Sequence, residues 1–232
     1  MLWSPAGLDT IIWNITDTLN ILHIISDPMP LDEAVDKRIA GAFFHTLSDL
    51  APEVTIDDYD LYTSPPAFFD YPTYRYLWYP QEEPAFVCGP EEAQAGARVR
   101  EQCERLQQAD LLVLTAPVWN YSIPAILKAW IDLVIAPNHI YRFGAQGLEP
   151  IHKLQRLIIF ISSGGTMLRD NARETLLKHL TAPFGFIGVK NIDVVWADGQ
   201  DQRLFPDHLE REVGAAAEAR RLAREIVDSI QK

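Results

Sequence analysis

The chain has 232 residues, of which 48% are hydrophobic and 22% are charged. These values are ordinary for a folded protein and exclude wholesale disorder, while the length suits one domain with a sizeable core. The formal net charge of −12 argues against nucleic acid and anionic membranes as partners, because phosphate groups need a basic surface.

The number of cysteines and the lengths of the apolar runs indicate where in the cell the protein is expected. Cys88 and Cys103 are too few for a disulfide framework, and we expect both to be free thiols. The first residues lack the basic start of a secretory signal. No run approaches the ~20 apolar residues that a membrane helix needs. We therefore expect a soluble, cytoplasmic protein.

The first half of the chain begins with a segment that precedes the first strand. Residues 1–18 are predicted to form an N-terminal arm, packed on a single domain of residues 19–232 or across a partner subunit. Residues 20–26 form a continuous apolar run, which predicts a parallel strand buried on both faces. A helix is predicted to begin near residues 31–33, and a second strand is predicted at residues 54–59.

Residues 62–90 form a long excursion that is rich in proline and aromatic residues. No helical or strand period is visible there, so at most a short helical turn is predicted. Long loops of this kind are often functional lids. The alternative is that the rings simply pack the excursion onto the domain, and both can hold together.

The second half alternates helices and strands. Helices are predicted at residues 91–108, 124–135, 173–184 and 208–231, and strands at residues 110–115, 156–162 and 191–196. Strands that alternate with helices in this way predict an α/β protein with right-handed crossovers. We expect a doubly wound, five-stranded parallel sheet with the strand order 2-1-3-4-5 and helices on both faces.

The turn after the third strand is the most informative feature of the chain. Ligands of open parallel sheets bind beyond the carboxyl ends of the strands, where this turn lies. Trp119 and Tyr121 offer apolar ring faces, and the Asn120 amide can both donate and accept hydrogen bonds. This chemistry suits a flat heteroaromatic ligand.

Four segments carry a resemblance to a known family. Residues 114–134 (LTAPVWNYSIPAILKAWIDLV) and residues 160–167 (FISSGGTM) resemble the two flavin-contacting segments of the FMN-dependent NADH azoreductases and related NAD(P)H:quinone oxidoreductases. Residues 142–147 and 181–199 resemble the intervening loop and the last helix and strand. The resemblance implies a flavodoxin-like fold and a homodimer.

The resemblance also implies a cofactor site. FMN would be held by Ser26 at its phosphate, by Val118, Trp119, Asn120 and Tyr121 at the ring edge near N5, and by Ser162, Ser163, Gly164 and Gly165 at the pyrimidine edge. The implied reaction is ping-pong: NADH or NADPH reduces FMN, and a quinone, an azo compound or a similar small-molecule acceptor then takes two electrons. It requires no catalytic acid or base from a side chain.

The loop after the first strand departs from the family pattern. Ser26 matches, but acidic and apolar residues replace the hydroxyl cluster that usually holds the FMN phosphate. Asp32 and Glu33 would repel a phosphate unless Lys37 or Arg38 turned inward. A dephosphorylated flavin, another ligand or no cofactor are alternatives. The second hypothesis for function is therefore a flavodoxin-like protein that has lost FMN and binds a ligand or partner, or does unrelated chemistry within a pathway.

The other residues considered for a functional site give weaker signals. With no phosphate bound, Asp32 and Glu33 would cap the following helix and place negative charge in its first turn. Residues 141–143 either border the pocket from a dimer partner or form a surface turn. His23, inside a strand, is interpreted as a satisfied core histidine. The six histidines show no metal-ligand spacing, and the sequence contains no P-loop, Gly-x-Gly-x-x-Gly or Gly-x-Ser-x-Gly motif.

Overall fold

The computed structural model describes residues 18–166 and 172–230. Apart from Thr18, the predicted N-terminal arm lies outside the described residues. In chain order the elements are β1 (Asn20–Ile25), α1 (Val35–Leu50), β2 (Thr55–Asp60), α2 (Tyr71–Glu82), α3 (Pro90–Gln108), β3 (Leu111–Pro117), α4 (Ala125–Val134), β4 (Tyr141–Gly144), β5 (Gly147–Pro150), β6 (Arg156–Ser162), α5 (Ala172–Phe186), β7 (Asn191–Ala197) and α6 (His208–Ile230).

Five of these strands form one parallel sheet with the order β2-β1-β3-β6-β7. The predicted fold and the predicted 2-1-3-4-5 order are thereby confirmed. Strand β3 is buried along its whole length, as expected where helices cover both faces of a parallel sheet. Strand β2 lies at the edge of the sheet and is partly exposed.

The core has two halves because successive side chains of a strand point to opposite faces. On one face, Leu112 and Leu114 pack with residues of α3, α4 and α5. On the other face, Leu111 and Val113 pack with residues of α1 and α6. The sheet is therefore covered on both faces, and the turns that follow its strands lie at its carboxyl edge.

The prediction for residues 62–90 is wrong at the centre of the segment, because α2 is a regular helix. The carboxylate of Asp70 accepts the backbone N–H of Thr73 at 2.9 Å and caps the first turn. Pro72 lies in that turn, where its missing N–H costs nothing. Aromatic side chains surround the helix and hide its period, since only Thr73 and Leu77 are buried.

Helix α2 is packed against α3. The ring of Tyr76 lies so close to Gly96 that a Cβ atom there would be 2.3 Å from it. Tyr76 also stacks on His139, with 5.8 Å between ring centroids. Much of the aromatic excursion therefore contributes to packing, which was one of the two predicted roles.

Helix α1 begins later than predicted. The backbone N–H groups of Glu33 and Ala34 both donate to the Pro30 carbonyl and close a separate turn. Ala34 is then extended, with φ −90° and ψ 108°, and no side chain caps the helix. The predicted capping role of Asp32 and Glu33 is therefore wrong, and both residues are exposed.

The segment after α4 is an antiparallel β4–β5 hairpin rather than a simple loop. Arg142 and Glu149 form an ion pair across it at 2.8 Å. The ring of Tyr141 is buried and contacts the more exposed rings of Phe143 and Phe186 edge to face. The hairpin thus carries an exposed aromatic surface.

Candidate functional site

The turn after β3 is a tight two-residue connection. Trp119 and Ser122 exchange two backbone hydrogen bonds of 3.0 Å each. Asn120 and Tyr121, at the centre of the turn, have positive φ angles of 50° and 65°. Asparagine tolerates this conformation, whereas a bulky residue rarely adopts it. The conformation leaves the Tyr121 side chain 73% exposed.

The loop after β6 is held from within by Ser163. Its hydroxyl donates to the Gly165 carbonyl at 2.7 Å and accepts the indole N–H of Trp196 at 2.8 Å. Its backbone N–H donates to the Ala197 carbonyl at 3.1 Å. Ser163 is therefore buried and stabilises the loop through these hydrogen bonds. The exposed backbone of the loop belongs to Gly164 and Gly165.

These two loops meet at one rim. Pro117 and Ser162 are paired in the parallel register of β3 and β6, and the Val118 N–H then donates to the Ser162 carbonyl at 2.8 Å. Two segments that are more than forty positions apart in the sequence thus share one hydrogen bond at the carboxyl edge. The structure brings together all eight residues that the sequence assigned to the ring of a flavin.

The backbone donors at this rim are fewer than the sequence suggested. The N–H groups of Val118, Trp119 and Ser163 bond within the protein. By contrast, the N–H groups of Asn120 and Gly164 donate to no acceptor within the described ranges. The groups free to meet a ligand are thus at the tip of the turn and in the glycine pair.

Sequence reasoning missed one aromatic neighbour of the turn. Tyr62, just after β2, contacts Trp119 with 6.5 Å between ring centroids in an edge arrangement. Burial and the carboxylates of Asp27 and Asp60 raise the pKa of its phenol. Its place at the start of the aromatic excursion was the only signal in the sequence.

Ser26 lies at the same edge but does not face an open site. It is fully buried, and both its hydroxyl and its backbone N–H donate to the Thr115 carbonyl at 2.9 Å. Ser26 therefore links the end of β1 to β3 through hydrogen bonds. Its predicted role at a phosphate is not supported by this orientation.

Two buried carboxyls, which sequence reasoning missed, follow β1: Asp27 lies in the loop and Asp36 lies at the start of α1. Asp36, in the first turn of α1, has 0% of its surface exposed, and Asp27 has 2%. Burial, together with the adjacent Asp27, raises the pKa of Asp36 to about 8. One signal was present, because Asp36 falls on the same helical face as buried Ile39 and Phe43.

The nearby cations are engaged elsewhere. Arg38 forms a two-pronged ion pair with Glu212, at 2.6 and 2.8 Å, and the ammonium of Lys37 donates to the Met29 carbonyl at 2.6 Å. Within the described ranges, neither cation forms an ion pair with Asp27 or Asp36. The inward turn of Lys37 or Arg38 that would compensate the loop's acidity is therefore absent from this structure.

The other candidates are structural. His23 is buried, and its ring nitrogens contact Asp58 and Thr115 at 2.8 Å each, which satisfies both. Burial lowers the pKa of His23 although Asp58 opposes the shift. The part of the chain that the structure describes contains no group of three His, Cys, Asp or Glu side chains able to hold a metal. It also contains no helix long and apolar enough to cross a membrane.

One cavity lies at the opposite edge of the sheet. It measures about 610 Å³ and is lined by the amino ends of β1 and β2 and by the last turns of α3, including Asn20, Thr55 and Arg105. Parallel sheets bind ligands at their carboxyl ends, so we place the candidate site at the rim formed by the two loops.

Residues 19–222 match the flavodoxin-like fold family. This chain belongs to that family. FMN-dependent NADH:quinone oxidoreductase 2 of Bradyrhizobium diazoefficiens is 31% identical over 205 residues, which cover 87% of this chain and 96% of that protein. The FMN-dependent NADH:quinone oxidoreductase of Gluconacetobacter diazotrophicus is 28% identical over 192 residues, or 80% of this chain and 92% of that protein.

Solved structures agree on the architecture of this flavodoxin-like protein. The crystal structure of an azoreductase from Bacillus anthracis str. Sterne matches with a TM-score of 0.79 and 23% identity, covering 89% of this chain and 99% of that one. At this level of identity the likeness concerns the fold. The resemblance stated from the sequence is therefore confirmed at the level of the family.

Proposed function

We propose that this chain is an FMN-dependent oxidoreductase that takes electrons from NADH or NADPH and passes them to a quinone, an azo compound or a similar acceptor. The observation that carries the proposal is the junction of the two loops, joined by the 2.8 Å bond from the Val118 N–H to the Ser162 carbonyl. Relatives named for this activity span most of the chain. They do not favour the alternative of a protein that has lost its flavin.

The residues of the rim fit a flavin ring. Gly164 and Gly165 are exposed and leave their backbone open to close approach. Trp119 and Tyr121 offer partly or largely exposed rings at the turn. The residues of the first loop do not fit a phosphate dianion, because Asp27 and Asp36 are buried there without a cationic partner. FMN affinity must therefore rest on the ring.

A bound flavin would supply two-electron chemistry between the nicotinamide and the acceptor. The protein itself would position the flavin and the acceptor and would stabilise the charge that develops on the flavin ring. The free N–H groups of Asn120 and Gly164 are fixed donors, and such donors stabilise developing negative charge without reorganising. Tyr62 and Trp119 together form an aromatic wall beside the turn, and we propose that flat acceptors pack against it.

We further propose a cytoplasmic homodimer. Phe143 on the hairpin and Phe186 at the end of α5 are 67% and 50% exposed, and they flank buried Tyr141. Exposed aromatic groups of this kind are typical of protein interfaces. Cys88 and Cys103 are both free thiols, which suits a reducing compartment. Light scattering on the purified protein tests the dimer.

The function is tested by adding FMN to the purified chain. We expect a flavin absorbance band that remains with the protein after gel filtration, and NADH oxidation that depends on an added quinone or azo dye. A protein that neither retains FMN nor oxidises NADH in its presence would remove the proposal.

A matched pair of variants tests the role of the turn. Asn120→Gly removes the amide but keeps a residue that accepts positive φ, and we expect a rise in the FMN dissociation constant or a fall in turnover of about tenfold. Asn138→Gly makes the same change at φ 61°, ahead of the β4–β5 hairpin, and should leave both values unchanged. Equal effects of the two variants would exclude the side-chain amide of Asn120 from the site.

A further inference from the structure

The pair of buried carboxylates lies next to the proposed ring site. The Ser162 hydroxyl, in the loop after β6, donates to Asp36 Oδ1 at 3.3 Å. Asp27 follows directly after Ser26, at the carboxyl edge of the same sheet. A flavin side chain that extended from the rim along this edge would therefore meet Asp27 and Asp36.

Asp36 occupies the first turn of α1, where the helix dipole would otherwise attract an anion. Its Oδ2 atom is buried and, once Asp36 is ionised, meets no hydrogen-bond donor within the described ranges, because the neighbouring side chain of Asp27 is another carboxyl. Asp27 has one partner for its Oδ1 atom, the backbone N–H of Met29 at 2.8 Å. The site thus offers an unused acceptor in the position where phosphate-binding loops offer donors.

The charge of Asp27 and Asp36 determines whether a phosphate or a hydroxyl at the end of the flavin side chain binds beside them. A phosphate dianion has acceptor oxygens only, and above about pH 8, where Asp36 is ionised, it meets like charge at a buried carboxylate. A hydroxyl group is neutral and can donate its proton to the carboxylate oxygen. Lys37 and Arg38 do not offset the difference, because they bond to Met29 and Glu212.

We propose that this protein binds riboflavin, which ends in a hydroxyl group, at least as tightly as FMN, which ends in a phosphate. The inference rests on the proposed function, since it assumes that a flavin ring binds at the rim. It assigns Asp36 and Asp27 as the groups that determine selectivity for the end of the flavin side chain. The phosphate then adds no affinity in this protein.

The first test needs no variant. The two flavins are titrated separately into the purified chain at pH 9, above the pKa of Asp36, and binding is followed by quenching of flavin fluorescence. We expect the riboflavin dissociation constant to be equal to or lower than that of FMN. An FMN constant lower by about tenfold, or ~1.4 kcal/mol, would overturn the inference and leave the proposed function intact.

Variants then locate the selectivity. At pH 9, where wild-type Asp36 is ionised, Asp36→Asn and Asp36→Ser should each tighten FMN by about tenfold and change riboflavin by less than about threefold, because only FMN carries charge at that end. Asp32→Asn removes an exposed carboxylate from the same loop and should change neither constant. A similar change for both flavins in the Asp36 variants would contradict the assignment. Failure of both flavins to bind the wild-type chain would overturn the proposed function together with the inference.

Discussion

At the scale of single residues, the carboxyl of Asp36 stands out because it is buried and its pKa is raised. A carboxylate normally ionises near pH 4, yet burial and the neighbouring Asp27 raise the pKa of Asp36 to about 8. Once Asp36 is ionised, one of its oxygens meets no donor within the described ranges, and leaving a buried polar atom unpaired costs about 1–3 kcal/mol. Such a cost is typical of positions kept for function rather than for stability.

The raised pKa of Asp36 predicts a dependence of stability on pH. The folded state keeps a proton between about pH 4 and pH 8 that the unfolded state loses, so the free energy of unfolding should fall as the pH rises through this window. Asp36→Asn carries no titrating proton there. We expect it to remove this part of the slope and to be more stable than the wild type at pH 8, by on the order of 2 kcal/mol.

Urea denaturation at several pH values, followed by circular dichroism, measures this difference. Asp32→Asn is the matched control, because Asp32 is exposed in the same loop. Parallel stability curves for the wild type and Asp36→Asn between pH 4 and pH 8 would show that Asp36 ionises normally.

At the scale of elements, α2 shows how a cap and local packing make a helix in a segment with no visible period. Asp70 and Pro72 mark its beginning, and Tyr76 fits against the bare backbone of Gly96. The capping signal was readable in the sequence, whereas the Tyr76–Gly96 contact was not. The contact depends on how α2 and α3 come together in space.

Two substitutions of Asp70 separate its contribution as the cap of α2 from its contribution as an ion-pair partner. Asp70 accepts the Thr73 N–H and also binds Arg98 at 3.0 Å. Asp70→Asn keeps a capping oxygen and removes the charge, while Asp70→Ala removes both. We expect Asp70→Ala to be less stable than Asp70→Asn by about 1 kcal/mol in chemical denaturation. Equal losses would mean that the cap contributes nothing.

At the scale of the whole molecule, the sheet and its two covering layers form the frame that holds the rim. Helix α1 packs on α6 and the sheet through Leu47, which is 0% exposed, while Leu50 in the same helix is 47% exposed. The same substitution at these two positions therefore measures burial with little change in helix propensity.

We expect Leu47→Ala to lower the free energy of unfolding by about 2–5 kcal/mol, because it leaves a cavity in the core under the sheet. Leu50→Ala should cost less than about 1 kcal/mol. Thermal and urea denaturation of both variants provide the measurement. A small loss for Leu47→Ala would mean that this half of the core repacks easily.

The sequence by itself determined the strand order, the family and the residues of both rim loops. These properties depend on local patterns: continuous apolar runs predict buried parallel strands, and the segments around Trp119 and Ser163 are contiguous in the chain. Their meeting at one edge follows from the parallel topology, which alternating strands and helices already imply.

Only the tertiary structure decided which charges are buried and which donors are free. Asp32 and Glu33 were expected near the ligand but are exposed, whereas Asp27 and Asp36 are buried there. Burial of a side chain depends on neighbours that are distant in the sequence, such as Ser162 beside Asp36. The packing of α1 against the end of β6 sets this contact, and the order of residues within either element does not reveal it.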